Sequence, residues 1–258
     1  MKNDLLRQII NVLAVILTLI VNGLANALPL NGRTTGSISD GFHVLFVPAG
    51  YVFAIWGLIY VGLIAFGIYQ ALPAQRANPR LRKIGYLFAL SCLANSAWIF
   101  LWHYGYFLLT LVVMLLLLAL LIVIYLRLEI GRATVSGIDR WTVQIPFSVY
   151  LGWITVATIA NVTDVLDFVR WSGWGLGPEG WFIVVILAAV AISAAVSLTR
   201  GDIAYLLVIV WAFIGIAVKQ ANNPLVATTT WVMTGAVVIL LLAGVWANRR
   251  RPLRVVAG

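Results

Sequence analysis

The chain has one cysteine, two histidines and eight acidic residues among 258 positions, so it is poor in the groups from which most active sites are made. Cys92 has no partner thiol, which excludes a disulfide framework and any metal site built on cysteine; it reads as a small buried hydrophobe. The acidic residues Asp4, Asp40, Glu129, Asp139, Asp164, Asp167, Glu179 and Asp202 all read as lying in loops or at the ends of apolar runs. That removes the paired carboxylates needed for acid–base chemistry in a core. It also removes the intramembrane charges that mark proton-coupled pumps and ion channels. His43 and His103 stand apart, with no second nitrogen or carboxylate at ligand spacing, and read as hydrogen-bonding histidines at an interface. No P-loop, G-x-S-x-G or H-E-x-x-H run occurs. The expectation is a protein with no catalytic residues and no metal, not an enzyme, with degradation of a bound planar ligand at a tryptophan-lined cleft as the one enzymatic reading left open.

What the chain has instead is apolar residues: 63% of the total, against 10% charged, with a mean hydropathy of +1.03. Soluble domains run nearer 45–50% apolar and about 25% charged, so this chain belongs in a lipid bilayer. Its net charge of +9 comes from 17 Lys and Arg that punctuate apolar runs. Nucleic-acid binding would gather them on one solvated face.

About 20 apolar residues cross the hydrocarbon core of a membrane as a helix. Eight runs qualify: Ile9–Leu28, Phe46–Leu72, Ile84–Trp102, Phe107–Leu126, Val143–Val162, Trp181–Leu198, Ile203–Val218 and Thr228–Trp246. The fold class is therefore all-α, a polytopic membrane helical bundle of about eight transmembrane helices. Cytoplasmic loops collect Lys and Arg. Fourteen of them fall on the side of the termini and the even-numbered loops, and three (Arg33, Arg170, Lys219) on the other. Both termini are expected in the cytoplasm, with the first helix retained rather than cleaved as a signal. The inner stretch Pro73–Lys83 reads as a plain connector. Two outer loops are long, Pro29–Leu45 and Thr163–Gly180, and Trp171, Trp174, Trp181, Trp231 and Trp246 read as interfacial belt residues.

Inside the spans the polar groups are neutral: Asn11, Asn22, Asn26, Asn95, Thr155, Thr158 and Asn161. They sit with the rings of Phe53, Trp56, Tyr60, Trp98, Trp102, Tyr150, Trp153 and Trp211. Trp56 and Tyr60, like Trp98 and Trp102, are one helical turn apart and form stripes. Two readings stay open. The groups are helix packing with interhelical hydrogen bonds, or they line a cleft of flat rings and amides suited to a large planar or lipidic ligand.

Three segments carry a resemblance. Pro48-Ala49-Gly50-Tyr51-Val52-Phe53 leads to Trp56-Gly57-Leu58-Ile59-Tyr60. Asn95-Ser96-Ala97-Trp98 leads to Trp102-His103. Trp153-Ile154-Thr155-Val156-Ala157-Thr158-Ile159-Ala160-Asn161 is the third. Together, and in this order, they resemble the translocator, or tryptophan-rich sensory protein, family (TspO/MBR). The resemblance covers residues 1–165 and implies a five-helix translocator-like block, with 166–258 as an additional three-helix block ending in a basic cytoplasmic tail. It implies a membrane receptor or sensor for a tetrapyrrole such as a porphyrin, or another hydrophobic, sterol-like or lipid ligand. Trp56, Asn95, Trp98, Trp153, Ala157 and Asn161 would be its ligand-binding residues, under a lid at Pro29–Leu45, in a bacterial inner membrane. A second reading is an accessory subunit of a larger, pigment-bearing membrane complex, docked through the additional helices. The small-xxx-small seams (Gly57 with Val61, Ala65 with Tyr69) are incomplete, which leaves both a homodimer and a membrane-complex partner open.

Overall fold

In the computed structural model, which describes residues 2–28, 30–249 and 254–255, helix α4 (Phe107–Arg127) shows why these segments need lipid. Its Thr110, Met114, Leu117 and Leu121 are buried, while Leu108, Leu109, Val112, Leu115 and Leu116 are exposed. A helix apolar on every face has no side to turn to water. The other long helices are α1 (Lys2–Ala27), α2 (Ile55–Ala71), α3 (Leu87–His103), α5 (Ile145–Phe168), α6 (Pro178–Arg200), α7 (Ile203–Lys219) and α8 (Pro224–Arg249). Six stretches, Asn3–Ala25, Gly50–Ala71, Phe107–Arg127, Gly137–Phe168, Pro178–Arg200 and Pro224–Ala247, are long and apolar enough to cross a membrane. Helices α3 and α7 have 17 residues each, as α2 does without its lead-in at Gly50–Ala54, a rise of about 25 Å. The helical membrane bundle is as the sequence predicts. Pro29, Arg250, Arg251 and the side chains of Asn26 and Arg249 lie outside the described residues.

Helix ends follow capping chemistry rather than hydropathy. Pro178 opens α6 after Gly177, and Gly201 closes it in the left-handed region at φ 57, a position that suits glycine. Asp202 caps α7 by accepting from the Tyr205 N–H at 3.2 Å. Asn223 accepts from the Val226 N–H at 3.2 Å, with Pro224 behind it. Two expectations change here. The run Phe46–Leu72 is not one helix: Pro48 cannot donate a backbone hydrogen bond, Gly50–Ala54 forms a 3-10 turn, and α2 begins only at Ile55. Helix α5 runs on to Phe168, so Asp164 and Asp167 lie on a helix and not in a loop.

Two compact units divide the chain: residues 1–35, 56–151 and 253–258, and residues 36–55 and 152–252. In the first, α1 packs on α3 and α3 on α4. Phe66, Phe88 and Phe147 form an edge-to-face cluster with centroids 4.6–5.8 Å apart. Polar threads cross the apolar core: Asn11 donates to the Gly85 carbonyl at 3.2 Å and Thr18 to that of Cys92 at 3.2 Å. The stretch Pro73–Lys83 is more than a connector. Arg82 grips Asp4 through two hydrogen bonds of 2.9 and 2.6 Å, Lys83 lies 3.5 Å from Glu129, and Arg80 pairs with Asp139. Ala133–Thr134 pairs in parallel with Arg254–Val255. The N-terminal turn, the α2–α3 and α4–α5 loops and this C-terminal pair therefore meet in one place.

In the second unit α6 and α7 both pack on α8. Gly152 lets α5 approach α7 so closely that a Cβ there would sit 3.1 Å from the Tyr205 carbonyl oxygen. The Tyr205 hydroxyl donates to Thr155 at 3.1 Å. Loops α1–α2, α5–α6 and α7–α8 meet: the His43 N–H donates to Asp167 at 3.1 Å, Lys219 holds Asp40 at 2.5 Å, and Asn223 donates to Glu179 at 3.3 Å. Loops α2–α3 and α4–α5 thus meet in the first unit, and loops α1–α2, α5–α6 and α7–α8 in the second.

Candidate ligand-binding residues

The six residues singled out by sequence divide between the units, Trp56, Asn95 and Trp98 in the first and Trp153, Ala157 and Asn161 in the second. In the first unit, Asn95 is 2% exposed; its Oδ1 accepts from Asn22 at 2.7 Å and its amide donates to the Tyr150 hydroxyl at 3.0 Å. Trp56 meets the same Tyr150 ring edge-on at 6.2 Å and stacks on Tyr60 at 5.6 Å with 21° between planes. Tyr150 thus brings Trp56 and Asn95 together, and it is the residue that the motif reading missed. It lies one turn before Trp153, just outside the third motif. Trp98, one turn beyond Asn95 on α3, stacks on Trp102 at 5.1 Å and 18°. Both sequence stripes are real stacks.

In the second unit Trp153 is buried edge-on against Phe53 at 5.8 Å. Ala157 and Asn161 follow at four-residue intervals, which places all three on one face of α5.

His103 anchors the start of the α1–α2 loop. Its Nδ1 lies 3.1 Å from the Leu30 carbonyl, which can only accept, so Nδ1 is the donor. Its Nε2 lies 3.1 Å from the Thr35 hydroxyl, and the Trp102 indole donates to the Thr35 carbonyl at 3.2 Å. Losing a buried hydrogen bond costs roughly 1–1.5 kcal/mol. His103→Leu should therefore raise amide hydrogen exchange over residues 30–35 on the order of tenfold, measured by mass spectrometry; unchanged exchange would contradict the tether.

A cavity of about 280 Å³ opens in the second unit, and none of the six residues lines it. Phe46, Trp171, Trp181, Phe182, Asp167 and His43 do. Trp171 and Trp181 lie 4.7 Å apart, while Trp174 beside them is 81% exposed. Trp181 is held by donating to the Gly173 carbonyl at 2.7 Å, and Gly173 has φ +69. A Cβ there would lie 3.1 Å from the indole nitrogen. Two of the tryptophans read as belt residues thus form walls, which hydropathy gives no means of seeing. No group of three metal-ligating side chains occurs among the described residues.

The family model of the TSPO-like proteins matches residues 8–244. The chain belongs to the TSPO-like family. The match continues past residue 165 through α6, α7 and most of α8, so the family's pattern includes the C-terminal helices. No curated protein and no solved structure matches the chain. A TSPO-like chain with this many apolar helices is an integral membrane protein, and in general terms a membrane sensor or binding protein.

Proposed function

We propose that this TSPO-like protein is a non-enzymatic receptor or sensor of the bacterial inner membrane. Its ligand is a tetrapyrrole or another hydrophobic, sterol-like or lipid molecule, bound through Trp56, Asn95, Trp98, Trp153, Ala157 and Asn161. The observation that carries the reading is the junction at Tyr150, where an indole stacked on Tyr60 and a buried amide meet. Flat rings stack on a planar macrocycle, the amides of Asn95 and Asn161 supply hydrogen bonds, and Ala157 leaves room. The excess of Lys and Arg on one side supports cytoplasmic termini.

The test is the absorption spectrum, from about 350 to 900 nm, of protein purified from its native membrane in mild detergent. A Soret-type band is expected in the wild type and its loss in the Trp98→Ala, Trp153→Ala variant. Added porphyrin should bind about tenfold more weakly to Trp153→Ala alone, the loss of one aromatic contact. A wild type without the band overturns the tetrapyrrole; unchanged affinity in the variants overturns the residue assignment.

A further inference from the structure

The cavity in the second unit differs in chemistry from the ligand residues above. Four aromatic side chains wall it, in neighbouring pairs: Phe46 with Phe182 at 6.4 Å and Trp171 with Trp181 at 4.7 Å. Asp167 lines it too, and no Lys or Arg does. One oxygen of Asp167 accepts from the His43 N–H; among the described residues no cation pairs with this carboxylate. Asp164, one turn earlier on α5, is 2% exposed, and its Oδ1 has no hydrogen-bond partner among the described residues. Lys219 is engaged with Asp40.

We propose that this cavity binds an organic ammonium ion, either a free methylated or aromatic amine or the choline or ethanolamine head of a phospholipid. Aromatic faces attract a cation lying within about 6 Å of the ring centroid, and indole does so best. A carboxylate beside them supplies the opposite charge. An anion would meet the half-buried Asp167, which has no cation partner among the described residues, one turn from the buried Asp164. A hard metal cation needs several oxygen ligands, which four hydrocarbon-rich rings do not supply. The volume of about 280 Å³ lies at the lower end for ligand pockets, the size of a head group and not of a macrocycle.

The site is preorganised. The hydrogen bond from Trp181 to Gly173 fixes the indole face before any ligand arrives, and the left-handed Gly173 leaves the space for it. Two walls, Trp181 and Phe182, come from α6, so the site does not rest on the six residues proposed for the hydrophobic ligand and stands or falls separately.

The experiment uses the full chain in nanodiscs of phosphatidylglycerol, titrated calorimetrically with phenyltrimethylammonium and with its neutral isostere tert-butylbenzene. Saturable binding of the cation is expected, at least tenfold tighter than the isostere. Asp167→Asn should weaken it at least tenfold, and Asp167→Glu, which keeps the charge, should restore most of it. Trp171→Leu, which keeps an apolar side chain but removes the aromatic face, should weaken the cation at least several-fold more than it weakens the isostere. Equal binding of cation and isostere, or an unchanged affinity in Asp167→Asn, overturns the proposal. Including phosphatidylcholine in the nanodiscs separates the two sources: competition assigns the site to a lipid head group, and its absence to a free amine. Either result upholds ammonium recognition.

Discussion

Replacing Arg80 with Met should destabilise the folded protein by about 3–5 kcal/mol, and replacing Arg80 and Asp139 together should return most of that loss. The two side chains are 7% and 8% exposed and pair directly. Arg80 also donates to the Leu128 carbonyl at 2.9 Å, at the C-terminal end of α4, where a cation suits the helix dipole. In Arg80→Met the Asp139 carboxylate stays buried with its charge uncompensated; its Oδ1 already lacks a hydrogen bond among the described residues. The penalty is the desolvation of that orphaned charge, not the worth of the pair. For this reason Arg80→Met, Asp139→Leu should be nearly as stable as the wild type.

Arg82→Met is the comparison that separates burial from charge. Arg82 makes the better-looking contact, two hydrogen bonds to Asp4, yet its side chain is 49% exposed. Water screens such a pair and Asp4 keeps Arg7 at 3.6 Å when Arg82 is gone, so this variant should unfold close to the wild type. Reversible unfolding in mixed micelles with increasing sodium dodecyl sulfate measures all three. A loss in Arg80→Met no greater than in Arg82→Met would refute the buried-charge account.

That ion pair also shows where sequence reading stops. The eight apolar runs were legible because a lipid-facing helix must be apolar for its whole length, and each observed long helix overlaps its run, though α1 begins seven residues before its run and α5 ends six residues beyond its own. The entry to α2 was not, because Val52 and Phe53 are as apolar as the helix that follows. What separates them is docking on α7, which hydropathy does not encode. The early starts of α6 and α8 were signalled by Gly177-Pro178 and Asn223-Pro224, whose capping chemistry an apolar count discards. Arg80 and Arg82 look alike in a basic connector, and only the distant Asp139 makes one of them structural. At the candidate site, the Trp56–Tyr60 and Trp98–Trp102 stacks followed from helical spacing. The meeting at Tyr150 required knowing that α2, α3 and the start of α5 converge, and the cavity required knowing that two loops 124 residues apart in sequence touch at His43 and Asp167.

Gly215→Ala should also be destabilising, against the usual sign for glycine in a helix. Exchanging Gly for Ala in a helix interior ordinarily gains about 1 kcal/mol. At Gly215 a Cβ would be driven into the Val52 side chain and would lie 3.2 Å from the Pro48 Cβ. Val52 is fully buried and, being β-branched, has one stiff rotamer and cannot swing aside. The segment it belongs to is held in place on α7: the Ala49 N–H donates to the Gly215 carbonyl at 3.1 Å, the Trp211 indole to the Val52 carbonyl at 3.2 Å, and Tyr51 packs edge-on against Trp211 at 5.4 Å. Overpacking a tight contact costs about 1–3 kcal/mol, enough to outweigh the helix propensity, and Gly215→Val should exceed the alanine variant. Gly235 on α8 has nothing within 4 Å of its would-be Cβ, so Gly235→Ala should hold or raise stability in the same assay. Val52→Ala opens the space that the new methyl needs; combined with Gly215→Ala it should be more stable than the sum of the single losses, a coupling that only residues in contact show. Strict additivity would mean that the 3-10 turn at Gly50–Ala54 does not rest on α7 at this glycine.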